Sequence, residues 1–230
     1  MSEINAELLP YEEMLKAGMH FGRKKTVFDP NMGRYVYSVR DGICIIDLLK
    51  TQAQLMFTVE YLKKVIKEGG IILFVAVTKQ SVESVKDLAD SLGMPYVLDR
   101  WLGGTLTNFK IINSRVKRLE EMEKLVTTEA FEKYTKKERL LFMRELDKMK
   151  KKFDGLKKLS KMPEVLFVSS LKESSLPVAE GKKMGVKIVG ISNTDSDPES
   201  IDYVIPANDR SKKSVDLIVN SIKKEVVQNI

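Results

Sequence analysis

The chain has 230 residues, of which 43% are apolar and 31% are charged, and it carries a net charge of +7. This length and composition support a buried core and exclude a disordered or fibrous chain. Continuous apolar runs, such as residues 71–77, are far shorter than the roughly 20 residues that span a bilayer. We therefore expect one folded domain, or one domain with an appendage, that does not enter a membrane.

The N-terminal segment and the cysteine content both indicate a reducing cytoplasm. Residues 1–15 are acidic and lack the basic and apolar regions of a signal or transit peptide. Cys44 is the only cysteine, so neither an intrachain disulfide nor a cysteine-based zinc site can be assembled. Its position between Ile43 and Ile45 in an apolar strand favours a buried side chain over a reactive thiol.

The positive charge is concentrated in one segment. Residues 110–161 contain 17 Lys and Arg and 9 Asp and Glu, whereas the rest of the chain contains 22 and 23. A local excess of this size favours a polyanionic partner, of which nucleic acid is the commonest. The alternative is a solvated helical hairpin in which lysine serves solubility.

A second basic segment, residues 19–48, follows a short helix predicted at residues 10–17, and we call this segment the basic loop. Arg23, Lys24, Lys25 and Arg34 are interleaved here with aromatic residues. Such a loop suits phosphate contacts combined with stacking on a base or sugar, but the aromatics could equally form a small hydrophobic cluster beneath it. The pair Asp41-Gly42 in the same segment predicts a β-hairpin.

Strands and helices alternate from Asp47 onward. Strands are predicted at residues 71–77, 96–98, 165–169, 187–191 and 203–205, and helices at residues 51–67, 81–92, 174–184 and 211–227. The first strand is apolar throughout, as expected when helices cover both faces of a parallel sheet. The pattern predicts an α/β fold with a mainly parallel sheet flanked by helices.

Two seams of apolar residues interrupt this alternation. Apolar side chains recur every three or four positions over residues 112–126 and again over residues 142–156, which predicts two long helices. Because they lie between neighbouring strands, they must leave the sheet and return as an antiparallel coiled-coil hairpin, with a bend at residues 127–137. We assign residues 1–105 and 162–230 to the α/β core domain and residues 106–161 to the hairpin insertion.

The core and the hairpin meet in a Trp-Leu-Gly-Gly turn. Gly103 and Gly104 allow a tight turn or a close approach to a partner, and Thr105 or Thr107 is expected to cap the first hairpin helix. Trp101 could stack on a base or fill the hinge between sheet and hairpin, and we favour the hinge. We favour an RNA contact for the preceding residue, Arg100.

The carboxyl ends of the strands, where open α/β sheets bind ligands, offer no nucleotide motif. Residues 78–84 read TKQSVES instead of a glycine-rich phosphate loop, and no Walker A sequence or nucleophile elbow is present. Four residues are weak metal candidates: His20, Asp195, Asp197 and Asp209. Ordinary turn chemistry is the favoured alternative for the stretch that contains Asp195 and Asp197, and we expect no catalytic residue, no metal and no cofactor.

Several stretches resemble the bacterial small-subunit ribosomal protein S2 family. They are AGMHFG at residues 17–22, residues 29–51, ILFVAVTKQ at residues 72–80 and PYVLDRWLGGTLTNF at residues 95–109. The resemblance continues through TKKE at residues 135–138 and DPESIDYVIPAND at residues 197–209, and so covers essentially the whole chain. RWLGGTLTNF is highly specific to that family.

The resemblance implies a flavodoxin- or Rossmann-like sheet without a nucleotide, and a protruding coiled-coil hairpin. It implies a place between the head and the body of the small subunit, in contact with 16S-type ribosomal RNA and neighbouring ribosomal proteins. It also implies a neighbouring role for ribosomal protein S-one, which docks beside the family in many bacteria. Arg23 and Cys44 stand where the family usually has histidine, which adds a cation at one position and removes a possible metal ligand at the other.

We therefore expect a structural ribosomal protein that supports translation and has neither enzymatic activity nor a small-molecule substrate. The expected RNA-binding residues lie in the basic loop, the turn and the first hairpin helix: Phe21, Arg23, Lys24, Lys25, Arg34, Arg100, Trp101, Asn108, Lys110, Arg115, Lys117 and Arg118. One alternative is an α/β enzyme, or a nucleotide or metabolite binder, that uses the strand-end crevice. Another is a coiled-coil adaptor that binds only proteins.

Overall fold

The computed structural model describes residues 8–128, 131 and 133–227. A short helix, α1 (Tyr11–Lys16), precedes an antiparallel sheet of β1 (Phe21–Lys24), β2 (Val36–Arg40) and β3 (Ile43–Ile46), in the order β1-β3-β2. Asp41 and Gly42 join β2 to β3 with φ angles of 49° and 74°. Positive φ at both positions is what a two-residue hairpin turn requires, so the predicted hairpin is confirmed.

The further helices whose bounds fall in the described ranges are α2 (Leu48–Lys67), α3 (Val82–Ser91), α4 (Phe109–Val126), α5 (Lys136–Phe153), α6 (Ser175–Met184) and α7 (Lys212–Val227). α2 begins earlier than predicted because Asp47 caps it, its side chain accepting a hydrogen bond from the backbone N–H of Leu49 at 3.1 Å. Among the described residues, no helix combines the length and apolarity needed to cross a bilayer.

The main sheet is five-stranded and parallel. Its strands are β4 (Ile72–Val75), β5 (Tyr96–Val97), β6 (Val165–Val168), β7 (Lys187–Ser192) and β8 (Tyr203–Pro206), in the order β5-β4-β6-β7-β8. In chain order this is 2-1-3-4-5, the flavodoxin-like arrangement, with the direction of winding reversing between β4 and β6. The predicted α/β fold is confirmed.

Both faces of the parallel sheet are buried. Phe74 and Phe167 point into a cluster closed by α2, α3 and α7, whereas Val75 and Val168 point into a second cluster closed by α6 and the hairpin. This alternation explains why β4 and β6 are apolar at every position, since each full burial of such a side chain contributes about 1.5–3 kcal/mol. The sheet is a rigid platform whose carboxyl edge carries the loops described below.

The helices α4 and α5 pack against each other and bury a shared apolar seam that includes Ile112, Leu119 and Leu146. The ring of Phe131, in the connection, lies 5.3 Å from the ring of Phe142. α5 starts at a capping box in which Thr135 and Glu138 exchange hydrogen bonds. Residues 129, 130 and 132 of the predicted bend lie outside the described residues.

Candidate nucleic-acid interface

A single buried carboxylate shapes the turn that leads from β5 into α4. Glu180, on α6, is only 6% exposed. One of its oxygens accepts hydrogen bonds from Trp101 Nε1 at 3.1 Å and from the backbone N–H of Gly104 at 2.7 Å. The other accepts from the backbone N–H groups of Leu106 and Thr107 at 3.0 and 3.2 Å. The turn is therefore folded around a protein carboxylate, so its N–H groups are not free for a phosphate.

The charge on Glu180 is stabilised by these donors. Burial alone would raise the pKa of Glu180, but the hydrogen bonds from Gly104, Leu106, Trp101 and Thr107 outweigh it, so the pKa lies below its ordinary value. Gly104 adopts φ +90°, which lets its N–H face the carboxylate. Sequence reasoning missed Glu180, because a lone glutamate in a helix gives no sign that it is buried against a turn more than 70 residues away.

The expected caps of α4 are wrong. Thr105 Oγ1 donates to the carbonyl of Leu102 at 2.6 Å, and Thr107 Oγ1 lies 3.3 Å from Glu180. Both hydroxyls therefore make hydrogen bonds that stabilise the turn, and neither caps α4. Asn108 occupies the N-cap position, but its exposed side chain makes no capping hydrogen bond, so the amide is available to an external partner.

The basic loop is attached to the carboxyl edge of the main sheet, next to the end of β7. The backbone N–H of Arg23 donates to Thr194 Oγ1 at 2.8 Å, and that of Asp29 donates to the carbonyl of Thr194 at 2.9 Å. Arg23 also pairs with Asp195, with Nε and Oδ2 3.5 Å apart. Arg23 therefore helps to fix the loop in place.

The other cations of the loop point outward. Lys24 and Lys25 are exposed and have no carboxylate partner among the described residues. The guanidinium of Arg34 is exposed and lies 5.1 Å from the ring centre of Tyr35, a cation–π contact that orients it without neutralising its charge. These three side chains can neutralise phosphates without breaking an ion pair of the folded protein.

The cations of the turn and of α4 form a second exposed set. Five have no carboxylate partner among the described residues: Arg100, Lys110, Arg115, Lys117 and Lys124. Arg118 pairs with Glu145 on α5 at 3.4 Å, with both side chains 55% exposed. An exposed pair of this kind contributes only about 0–1 kcal/mol, so Arg118 can exchange Glu145 for a phosphate.

The aromatic residues divide between core and surface. Trp101 is 5% exposed and is bonded to Glu180, which supports the hinge alternative and leaves no ring face for a base. Tyr35 packs with Met32 in a small cluster beneath the loop. Phe21 is 47% exposed, but its neighbours in a surface groove are mainly apolar. We keep Phe21 among the candidates and remove Trp101.

The strand-end crevice is filled by the protein's own hydrogen bonds. Ser81 Oγ lies 2.7 Å from Thr78 Oγ1 and 2.8 Å from Ser169 Oγ, across the point where the strand order reverses. On the β7 side, Asp209 is buried and accepts hydrogen bonds from Ser170 Oγ at 2.6 Å and from Asn193 Nδ2 at 3.0 Å. A ligand in the crevice would have to break this network, which disfavours the small-molecule alternative.

The weak metal candidates do not come together. Asp195 pairs with Arg23, and Asp209 belongs to the crevice network. Asp197 accepts from the backbone N–H of Glu199 at 3.0 Å, as expected for turn chemistry. The remaining candidate is His20, whose pKa is lowered by burial. Across the described ranges, no three His, Cys, Asp or Glu side chains are grouped so that they could hold a metal ion.

Cys44 lies in β3 and is 1% exposed, which confirms the predicted burial. Burial raises the pKa of the thiol more than nearby Lys25 and Thr194 lower it. The thiol therefore stays protonated and unreactive at neutral pH.

Comparison with known proteins places the chain in a family. The model of the family described as ribosomal protein S2 matches residues 14–229. Relatives named small ribosomal subunit protein uS2, from two strains of Thermus thermophilus, are each 40% identical over 217 residues, which is 94% of this chain and 85% of the relative. The chain therefore belongs to the ribosomal protein S2 family, whose members are structural ribosomal proteins and not enzymes.

Proposed function

We propose that the protein is held in the small ribosomal subunit, between head and body, by contacts of its basic loop and of α4 with 16S-type ribosomal RNA. In that position it supports translation as part of the ribonucleoprotein. Neighbouring small-subunit proteins, with ribosomal protein S-one among them, are its proposed protein partners. The named function of the relatives and the distribution of unpaired cations both support this proposal.

The observation that carries the proposal is the concentration of unpaired cations on the loop and on α4. Elsewhere on the surface pairing is mixed: Lys187, Lys212 and Lys223 each lie 2.6–2.7 Å from a carboxylate oxygen, whereas lysines such as Lys67 have no carboxylate partner among the described residues. By contrast, most cations of the loop and of α4 have no carboxylate within 4.0 Å in the described part of the chain. Unneutralised, solvated cations on the basic loop and on α4 suit a partner that supplies closely spaced negative charges.

Both sets of cations extend from one rim of the molecule. The basic loop lies at the end of β7, and Arg100 follows the end of β5, so the two are on the same carboxyl edge of the parallel sheet. We propose that residues 106–161 act as an inserted unit that continues this cationic surface away from the α/β core of residues 1–105 and 162–230.

Charge reversal in the loop tests the proposal. Lys24→Glu together with Lys25→Glu should lower incorporation into small subunits and leave the melting temperature unchanged, because neither side chain has a carboxylate partner among the described residues. In binding to subunits that lack the protein, the slope of log affinity against log salt should decrease by about 0.7–0.9 for each phosphate that is no longer neutralised. Arg23 is left intact because its pair with Asp195 makes it part of the fold.

A matched control reverses two exposed lysines at the opposite edge of the sheet. Lys67 is the last residue of α2 and Lys183 the last but one of α6, shortly before the amino ends of β4 and β7. Neither has a carboxylate partner among the described residues. Lys67→Glu with Lys183→Glu should incorporate normally. Normal incorporation of the loop variant, or equal impairment of both variants, would contradict the proposed interface.

A further inference from the structure

A cleft opens where the end of α5 meets the edge strand β5. We call it the junction cleft; it has a volume of about 220 Å³ and is lined by Lys86, Tyr96–Arg100, Lys150–Lys152, Asp154 and Gly155. Its walls come from α3, from the end of β5 and from the last turn of α5. The cleft thus lies between the α/β core and the hairpin.

The junction cleft carries an excess of positive charge. Two of its charged groups are already paired, Lys150 with Glu123 at 3.4 Å and Asp154 with Lys157 at 2.7 Å. Four exposed cations of the lining have no carboxylate partner among the described residues: Lys86, Arg100, Lys151 and Lys152. Among the described lining residues, Asp99 is the one carboxylate left to oppose them.

Helix chemistry explains only part of this cluster. Lysines in the last turn of a helix complement its macrodipole, which accounts for Lys151 and Lys152 without a ligand. Lys86 lies in the middle of α3, and Arg100 follows β5 in a loop. Neither position has a dipole to complement, yet both line the same cleft. Convergence of cations from three elements favours an anion as the occupant.

The geometry of the junction cleft is fixed by the packing of its floor. Gly155 lies so close to Tyr96 that a Cβ at position 155 would collide with both the backbone oxygen and the ring. Lys158 ties the end of the hairpin to Asp90 on α3 at 3.6 Å. The backbone positions from which the cations extend are therefore set before any ligand arrives, which lowers the entropic cost of binding.

We propose that the junction cleft binds the phosphate backbone of the ribosomal RNA, so that the core and the hairpin contact the same RNA strand. This inference rests on the proposed function and adds Lys86, Lys151 and Lys152 to the interface that includes Arg100. A cavity of about 220 Å³ is smaller than the roughly 300–1,000 Å³ of typical small-molecule sites. That size favours a segment of polymer backbone over a free metabolite.

Position-directed hydroxyl-radical cleavage tests the inference directly. In a Cys44→Ala background, an iron chelate is tethered at Lys151→Cys in the cleft, at Lys24→Cys in the basic loop, or at Lys67→Cys on the opposite edge. After incorporation into subunits, the chelates at 24 and 151 should cut the RNA at separate discrete sites, and the chelate at 67 should cut weakly. Cleavage from position 24 without cleavage from position 151 would refute RNA binding by the junction cleft and leave the proposed function standing. Cleavage from neither position would refute both proposals.

A charge-removal series provides a second measurement. Lys86→Gln, Lys151→Gln and Lys152→Gln in one variant should decrease the salt slope of subunit binding by about 2–3, at about 0.7–0.9 for each neutralised phosphate. The control variant Lys67→Gln, Lys182→Gln and Lys183→Gln removes the same charge near the other edge of the sheet, and its slope should not change. Equal slopes for the two variants would refute the assignment, and thermal unfolding of both checks that the fold is intact.

Discussion

Glu180 is the residue on which the shape of the junction between sheet and hairpin depends most. It accepts hydrogen bonds from one indole and three backbone N–H groups, so its removal would leave several buried donors unpaired. We predict that Glu180→Ala lowers the free energy of unfolding by about 3 kcal/mol or more in urea denaturation. Glu173, an exposed glutamate just before the same helix, is the control, and Glu173→Ala should cost no more than about 0.5 kcal/mol. Equal losses for both variants would show that the carboxylate does not hold the turn.

The same carboxylate makes this contribution pH-dependent. Because the pKa of Glu180 is lower in the folded protein than its ordinary value of 4.5, folding favours the ionised form. The stability advantage of the native protein over Glu180→Gln should be fully present above pH 4.5 and should shrink as pH falls further, through the folded pKa. Unfolding free energies of the two proteins between neutral pH and acidic pH provide the measurement. An advantage that does not change with pH would mean that the charge on Glu180 is irrelevant.

Residue roles could be predicted where a local pattern carries the information. The pair Asp41-Gly42 predicts a hairpin turn, and the position of Cys44 between two isoleucines predicts a buried side chain; the structure has both. The partner of Trp101 could not be predicted, because hydrogen bonds between distant segments leave no periodic signal in the sequence. The assignment of Thr105 and Thr107 as caps failed because Thr107 bonds to the distant Glu180, whereas Thr105 bonds to the nearby carbonyl of Leu102 within the turn.

At the scale of elements, the contact between the hairpin and β5 depends on a glycine. A methyl group at Gly155 would collide with Tyr96, so Gly155→Ala should push the end of the hairpin away from the sheet. We predict a loss of about 1–3 kcal/mol in unfolding free energy. Gly103→Ala is the control, because a Cβ there meets nothing within 4 Å, and it should be neutral or stabilising by up to about 1 kcal/mol. Equal stability of the two variants in denaturant unfolding would argue against tight packing at this junction.

Element types were more predictable than element ends. The apolar runs and the three-to-four periodicity identified the strands of the main sheet and the paired helices, because these patterns report burial of a whole face. β1 is not predicted from the sequence, since Phe21–Lys24 mixes aromatic and basic residues and pairs with β3 through a shifted register. The extra turn at the start of α2 depends on the side chain of Asp47, which periodicity does not register.

At the scale of the whole molecule, the parallel sheet positions cations and performs no chemistry of its own. Its crevice is closed by the hydrogen bonds of Ser81, Ser169 and Asp209, while its carboxyl edge supports the basic loop and the start of α4. The excess of positive charge can be counted from the sequence. Only the structure distinguishes cations that are paired within the protein, such as Arg23, from those such as Lys24 that have no carboxylate partner among the described residues.

The most direct test of the central claim, that exposed cations hold this protein on ribosomal RNA, is a sucrose-gradient profile of the tagged protein at stepped salt concentrations. We predict that the protein migrates with small subunits at low salt and is released progressively as salt increases, because counterions compete for the phosphates. The Lys24→Glu and Lys25→Glu variant should be released at a lower salt concentration than the native protein. Release that does not depend on salt, with native and variant proteins alike, would contradict the account.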